Sequence, residues 1–141
     1  MNTFERDGIS FRYPTNWQGE AEDSEDGGWA VTLSSPETAF ALISLRPDAR
    51  DPADLVDQTL EALQQEYKQL DVENCLESIA GQPALGHDID FLTLDAAITC
   101  RTRAVESPMG PLLTMCQVSE YDREKHDPVL RAIVASIKFE D

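Results

Sequence analysis

Residues 71–118 read DVENCLESIAGQPALGHDIDFLTLDAAITCRTRAVESPMGPLLTMCQV. Apolar and polar residues alternate through this stretch with a period of two, the spacing of a strand with one buried face. Breakers cut it into four runs. Ala80-Gly81-Gln82-Pro83 separates a strand near 72–79 from one near 84–94. A tight turn around Asp95 leads to a strand near 96–106, and Ser107-Pro108-Met109-Gly110 leads to one near 111–118. Short turns join antiparallel neighbours, so this stretch predicts a four-stranded meander.

The flanks extend that pattern. Ile9, Phe11 and Tyr13 alternate with polar residues in a short strand that Pro14 ends. Trp17 opens a second strand, Trp29, Val31 and Leu33 mark a third, and Ala39–Leu45 is a nearly continuous apolar run. Asp51-Pro52 then gives an N-cap followed by proline at the first helical position. Leu55, Val56, Thr59, Leu60, Leu63 and Tyr67 fall on one face, which predicts an amphipathic helix over 52–69. Asp127-Pro128 repeats the cap-and-proline pattern before Val129, Leu130, Ile133, Val134 and Ile137, with Tyr121–His126 as an extra turn ahead of it. The order is ββββαββββα. The predicted fold is a single α+β domain over 1–141, in which a mostly antiparallel sheet of six to eight strands packs two amphipathic helices.

These residues resemble a known family. Phe11-Arg12-Tyr13-Pro14-Thr15-Asn16-Trp17 resembles the aromatic-x-Tyr-Pro-x-x-Trp opening of PsbP-like domains, a fold shared with the Mog-one type and with DcrB-like bacterial domains. Ile79-Ala80-Gly81-Gln82-Pro83-Ala84 resembles their Ile-x-Gly-x-Pro-Ala turn, and the closing helix fits as well. The resemblance spans roughly residues 9–139. It implies binding proteins more than enzymes: photosystem members join an oxygen-evolving complex, a nuclear-transport member binds a small GTPase, and some bacterial relatives chaperone secreted toxins. The shared motifs are turn and packing residues, and they carry no catalytic role over to this chain.

Charge narrows the partners. Eleven Lys and Arg stand against 27 Asp and Glu, a net charge of −16. Affinity for nucleic acid needs Lys and Arg to displace counterions, so nucleic acid is excluded, and an anionic membrane surface equally. The densest acidic cluster is Glu20, Glu22, Asp23, Glu25 and Asp26, read as an exposed hairpin tip able to steer a basic protein partner. It lacks the spacing of a calcium loop, so no metal is expected there. The opening MNTFERDGISF has no signal-peptide pattern and no apolar run approaches a membrane span, so the expected location is cytoplasmic. Cys75, Cys100 and Cys116 have no C-x-x-C spacing and read as reduced, strand-borne core thiols, with Cys100 and Cys116 on neighbouring runs that bring them face to face.

Candidate chemistry is sparse. There is no phosphate-binding glycine loop and no nucleophile elbow, so no cofactor is expected. His126, beside Asp127 at a helix start, reads as solvated. His87 reads as a structural histidine on the strand face opposite Asp88 and Asp90. If the turn centres on Asp95, Asp90 lies opposite Arg101 and Asp88 opposite Arg103, an ion-pair ladder on one sheet face. Two functions follow. One is a non-enzymatic adaptor or chaperone-like module, which predicts an exposed apolar patch. The alternative is a small enzyme or ligand-binding protein with a pocket between sheet and helix, using Arg101, Arg103 or His87.

Overall fold

The computed structural model describes residues 1–140. The central meander forms as its punctuation requires: β6 (Asp71–Ile79), β7 (Gln82–Leu92), β8 (Ala97–Ser107) and β9 (Gly110–Ser119) pair in sequence, all antiparallel. Ala80 and Gly81 close the first hairpin with φ of 52° and 78°, the left-handed pair of a type I′ turn that suits strand twist. Upstream strands β3 (Gln18–Asp23), β4 (Trp29–Ser34) and β5 (Phe40–Leu45) complete a seven-stranded sheet in the order β3-β4-β5-β9-β8-β7-β6.

A second sheet holds β2 (Ile9–Tyr13) between β1 (Asn2–Arg6) and β10 (Lys138–Phe139). The flanking strands β1 and β10 add to the predicted order. β1 has one apolar residue in five and β10 is only two residues long, so neither carries a readable alternation; Asp7-Gly8, a second turn of two positive-φ residues, joins β1 to β2. Trp17 belongs to the turn before β3 rather than to a strand, its amide donating to the Pro14 carbonyl at 3.1 Å.

The helices take opposite faces of the large sheet. On one, α1 (Pro52–Glu66) begins as read: the Asp51 carboxylate accepts from the Asp54 amide at 2.8 Å, and Pro52 follows. Leu55 and Val56 bury against Ala104 and Leu113, while Leu60, Leu63 and Tyr67 pack on Ile89, Phe91 and Cys100. On the other face, α2 (Arg123–Ala135) and the small sheet enclose the main core, in which Ile9, Phe11, Leu130, Ile133 and Ile137 meet Trp29, Val31, Ile43, Leu112 and Val118.

α2 starts four residues before the predicted Asp127 cap. Its N-cap is Asp122, and Pro128 lies inside the helix. The extra turn read over Tyr121–His126 is thus mostly α2 itself, and His126 is buried at 2% exposure rather than solvated. Cys100 lies opposite Gln117, and Cys116 opposite Arg101, so the two thiols sit on opposite sheet faces and do not meet. Cys75, on edge strand β6, is only half-buried.

Candidate functional site

β8 carries Arg101 and Arg103 toward the face that α2 covers, and β7 carries Asp88 and Asp90 to the same face. The pairing differs from the expected ladder by two residues. Leu92 and Ala97 are the last pair, so the loop spans residues 93–96 and Asp88 lies opposite Arg101, Asp90 opposite Thr99, and Gly86 opposite Arg103. A shift of two preserves the face of every side chain, which is why the grouping survives the change of register.

The contacts redistribute accordingly. Arg103 reaches diagonally to Asp88 at 2.9 Å and across to Glu77 of β6 at 2.8 Å. Its Nη1 donates to the carbonyls of His87 and Thr102. Arg101 turns to Asp127 on α2, and Arg131 reaches the same carboxylate at 3.1 Å. Asp90 accepts from the Thr99 hydroxyl at 2.8 Å instead of meeting Arg101. Gly86 makes room for this: a Cβ there would lie 1.7 Å from the Thr102 carbonyl oxygen and 2.9 Å from the Arg103 side chain. A glycine in mid-strand is the sequence signal for such a close approach. Arg131 and Asp127 carried no comparable signal, because their part depends on where α2 packs.

Between these side chains and α2 lies a cleft of about 340 Å³. Arg101, Arg103, Arg131, Glu77 and Thr114 supply most of its polar lining, and Ile79, Leu130 and Val134 are prominent in its apolar wall. Arg103 is 4% exposed, and its Nε has no hydrogen-bond partner among the described residues. Burial pushes the Cys116 thiol, also on the wall, up to about 11. Burial also weighs most on Asp127, but Arg101 and then Arg131 outweigh it and hold that carboxyl below its ordinary value.

His87 does not join the arginines. It faces the α1 side, 7% exposed, with its amide near the Thr102 hydroxyl at 3.3 Å. Cys100 shares that face two positions along, and burial raises its thiol to about 12, which keeps it protonated and unreactive at neutral pH. Of the acidic cluster, Glu20, Glu22 and Asp23 lie along edge strand β3, while Glu25 and Asp26 occupy the turn that follows. The Asp26 carboxylate accepts from the Gly28 amide at 2.9 Å and the Ser24 hydroxyl at 2.8 Å, which lowers it to about 2. Its part is to close the turn.

A polar knot outside the predicted residues joins the β4–β5 loop to α2. Glu37, Asp122 and His126 bring one ligand-type atom each within 4.8 Å. Asp122 accepts from the Thr38 amide, the Thr38 hydroxyl and the Ser119 hydroxyl. Glu37 accepts from Lys125 at 2.6 Å and lies 3.1 Å from His126 Nε2. These donors already serve the carboxylates, and the ammonium and the helix N-terminus oppose a cation, so the chemistry fits a bracket rather than a metal site. The burial of His126 follows from the early start of α2, which sets it edge-on to Trp17 at 5.6 Å.

The fold is PsbP-like. It is similar to cyanobacterial PsbP from Synechocystis sp. PCC 6803, with a TM-score of 0.66 and 14% identity over 99% of this chain and 92% of that one. It is also similar to PA94 of Pseudomonas aeruginosa, a protein of unknown function, with a TM-score of 0.60 and 18% identity over 100% of this chain and 98% of that one. LpqN of Mycobacterium tuberculosis, involved in cell envelope biogenesis, aligns with a TM-score of 0.59 and 12% identity, over 94% and 83% of the two chains. No family model and no curated protein matches the sequence. At these identities the likeness concerns fold alone.

Proposed function

We propose that this chain is a non-enzymatic binding module whose α2 cleft takes a small amphipathic carboxylate. The observation that carries this is Arg103. A guanidinium N–H buried without a partner is costly, and Arg103 lines the cleft, so a ligand oxygen that reached this buried Nε would satisfy it. The lining fits the rest of such a ligand, with Arg101 and Thr114 beside Arg103 and Leu130, Val134 and Ile79 against a short apolar body. The volume lies at the small end of ordinary ligand sites. The raised Cys116 thiol supports binding over covalent chemistry.

The test is a series of straight-chain carboxylates from butyrate to octanoate, titrated while the arginine side-chain N–H signals are followed by NMR. A saturable shift and slowed exchange at Arg103 Nε–H is the expected result. Ala135 is exposed at the cleft mouth, so Ala135→Trp should block entry while leaving the core intact. No response at Arg103 across the series, or a response that Ala135→Trp leaves unchanged, overturns the proposal.

A further inference from the structure

The outer edge of β6 is unpaired. It ends the seven-stranded sheet, and among the described residues β7 is its one neighbour. At nine residues it is long for an exposed edge. Its side chains sort by face. Val72 and Leu76 point to the α1 side, where Leu85 lies opposite Leu76, and the three are 37%, 68% and 38% exposed. Asp71, Glu73 and Glu77 alternate with them on the other face. The opposite edge, β3, is exposed throughout and carries glutamine, glycine, alanine and acids, with no large apolar knob to specify a register.

We propose that β6 is a docking edge for an extended polypeptide that adds as an eighth strand and alternates basic with apolar residues. The backbone groups of the edge supply the hydrogen bonds, and the two faces supply the specificity. Basic residues fall opposite Asp71, Glu73 and Glu77; apolar residues fall opposite Val72 and Leu76, extending the Leu76–Leu85 patch. Charge excludes a second copy as the occupant. Antiparallel self-pairing with full overlap centres on Cys75 and sets Glu73 of each copy against Glu77 of the other. Two molecules of net charge −16 repel besides. The occupant is opposite in charge to the carboxylate of the α2 cleft, so the two proposals stand or fall separately.

The probe is the capped nonapeptide KVKVKVKVK, and the control is the same composition in blocks, KKKKKVVVV. Hydrogen exchange with the full chain reads the site, and fluorescence anisotropy reads affinity. The alternating peptide should slow exchange of the outward β6 amides at least tenfold, and the block peptide should not. Glu73→Lys and Leu76→Lys both change exposed side chains, and each should weaken binding at least tenfold. Equal binding of the two peptides, protection outside β6, or undiminished binding by both variants overturns the proposal. So does protection of β6 that rises with protein concentration in the absence of peptide, which would make a second copy the occupant.

Discussion

Arg103 shows how one residue ties stability to the site. Its guanidinium holds Glu77, Asp88 and two carbonyls at once, from a side chain only 5% exposed. Losing a buried ion-pair partner costs several kcal/mol, but both acids here are part-exposed, at 49% and 36%, and water moderates the loss. Arg103→Met should therefore destabilise by about 1–3 kcal/mol at neutral pH. Burial raises the Asp88 carboxyl, yet hydrogen bonds from Arg103 and Cys75 and the charges of Arg103 and Arg101 outweigh it, so its folded value is depressed. A depressed carboxyl stabilises above its unfolded value of about 3.9 and loses that contribution as pH falls through the folded one. The deficit of the variant should thus shrink below about pH 4. Urea unfolding of both proteins from pH 7 to pH 3 checks this, and a deficit constant across the range would show that the Asp88 pair is not its source. The grouping of Arg101, Arg103, Asp88 and Asp90 on one face was legible from period two alone. Their partners were not, because a two-residue difference in turn length leaves the alternation unchanged while moving every pair.

The two helices carry the same Asp-Pro dipeptide with opposite results. Asp51-Pro52 starts α1, where proline sits at the first position and its missing N–H is no loss. Asp127-Pro128 lies in the second turn of α2, where an N–H to the Glu124 carbonyl would have formed. Tertiary contacts decide the difference. Asp122 anchors the start of α2 through Thr38 and Ser119, and Asp127 is drawn to Arg101 and Arg131 instead of capping. A local signature records neither contact, so the helix was legible and its first turn was not. Because Pro128 is exposed, Pro128→Ala removes little packing, restores a backbone hydrogen bond and relieves the ring clash. It also frees the unfolded chain, which offsets part of the gain. The expected net is stabilisation by about 1 kcal/mol, seen as a higher urea midpoint with the same slope. An unchanged or lower midpoint would mean that the proline shapes α2 for its seat over the cleft.

At the scale of the molecule, the net charge of −16 is distributed unevenly. Beneath α2, Arg101, Arg103 and Arg131 are matched by Glu77, Asp88 and Asp127, so the cleft is close to neutral. The uncompensated charge therefore lies elsewhere, including Glu20 and Glu22 of β3, Glu25 of its turn, and Asp71 and Glu73 of β6. Such charges are exposed and repel one another across distances that salt screens, whereas the Arg103 pairs are short, buried on the arginine side and screened far less. Screening should then relieve more repulsion than attraction. Raising sodium chloride from about 10 mM to about 150 mM, which shortens the Debye length from about 30 Å to about 8 Å, should raise the melting temperature by a few degrees. Sodium perchlorate and sodium sulfate at matched ionic strength separate screening from changes in hydration. If all three salts raise the transition alike, relief of self-repulsion is the cause. A fall in chloride would show that paired charges dominate stability, and that the acidic shell costs the fold little.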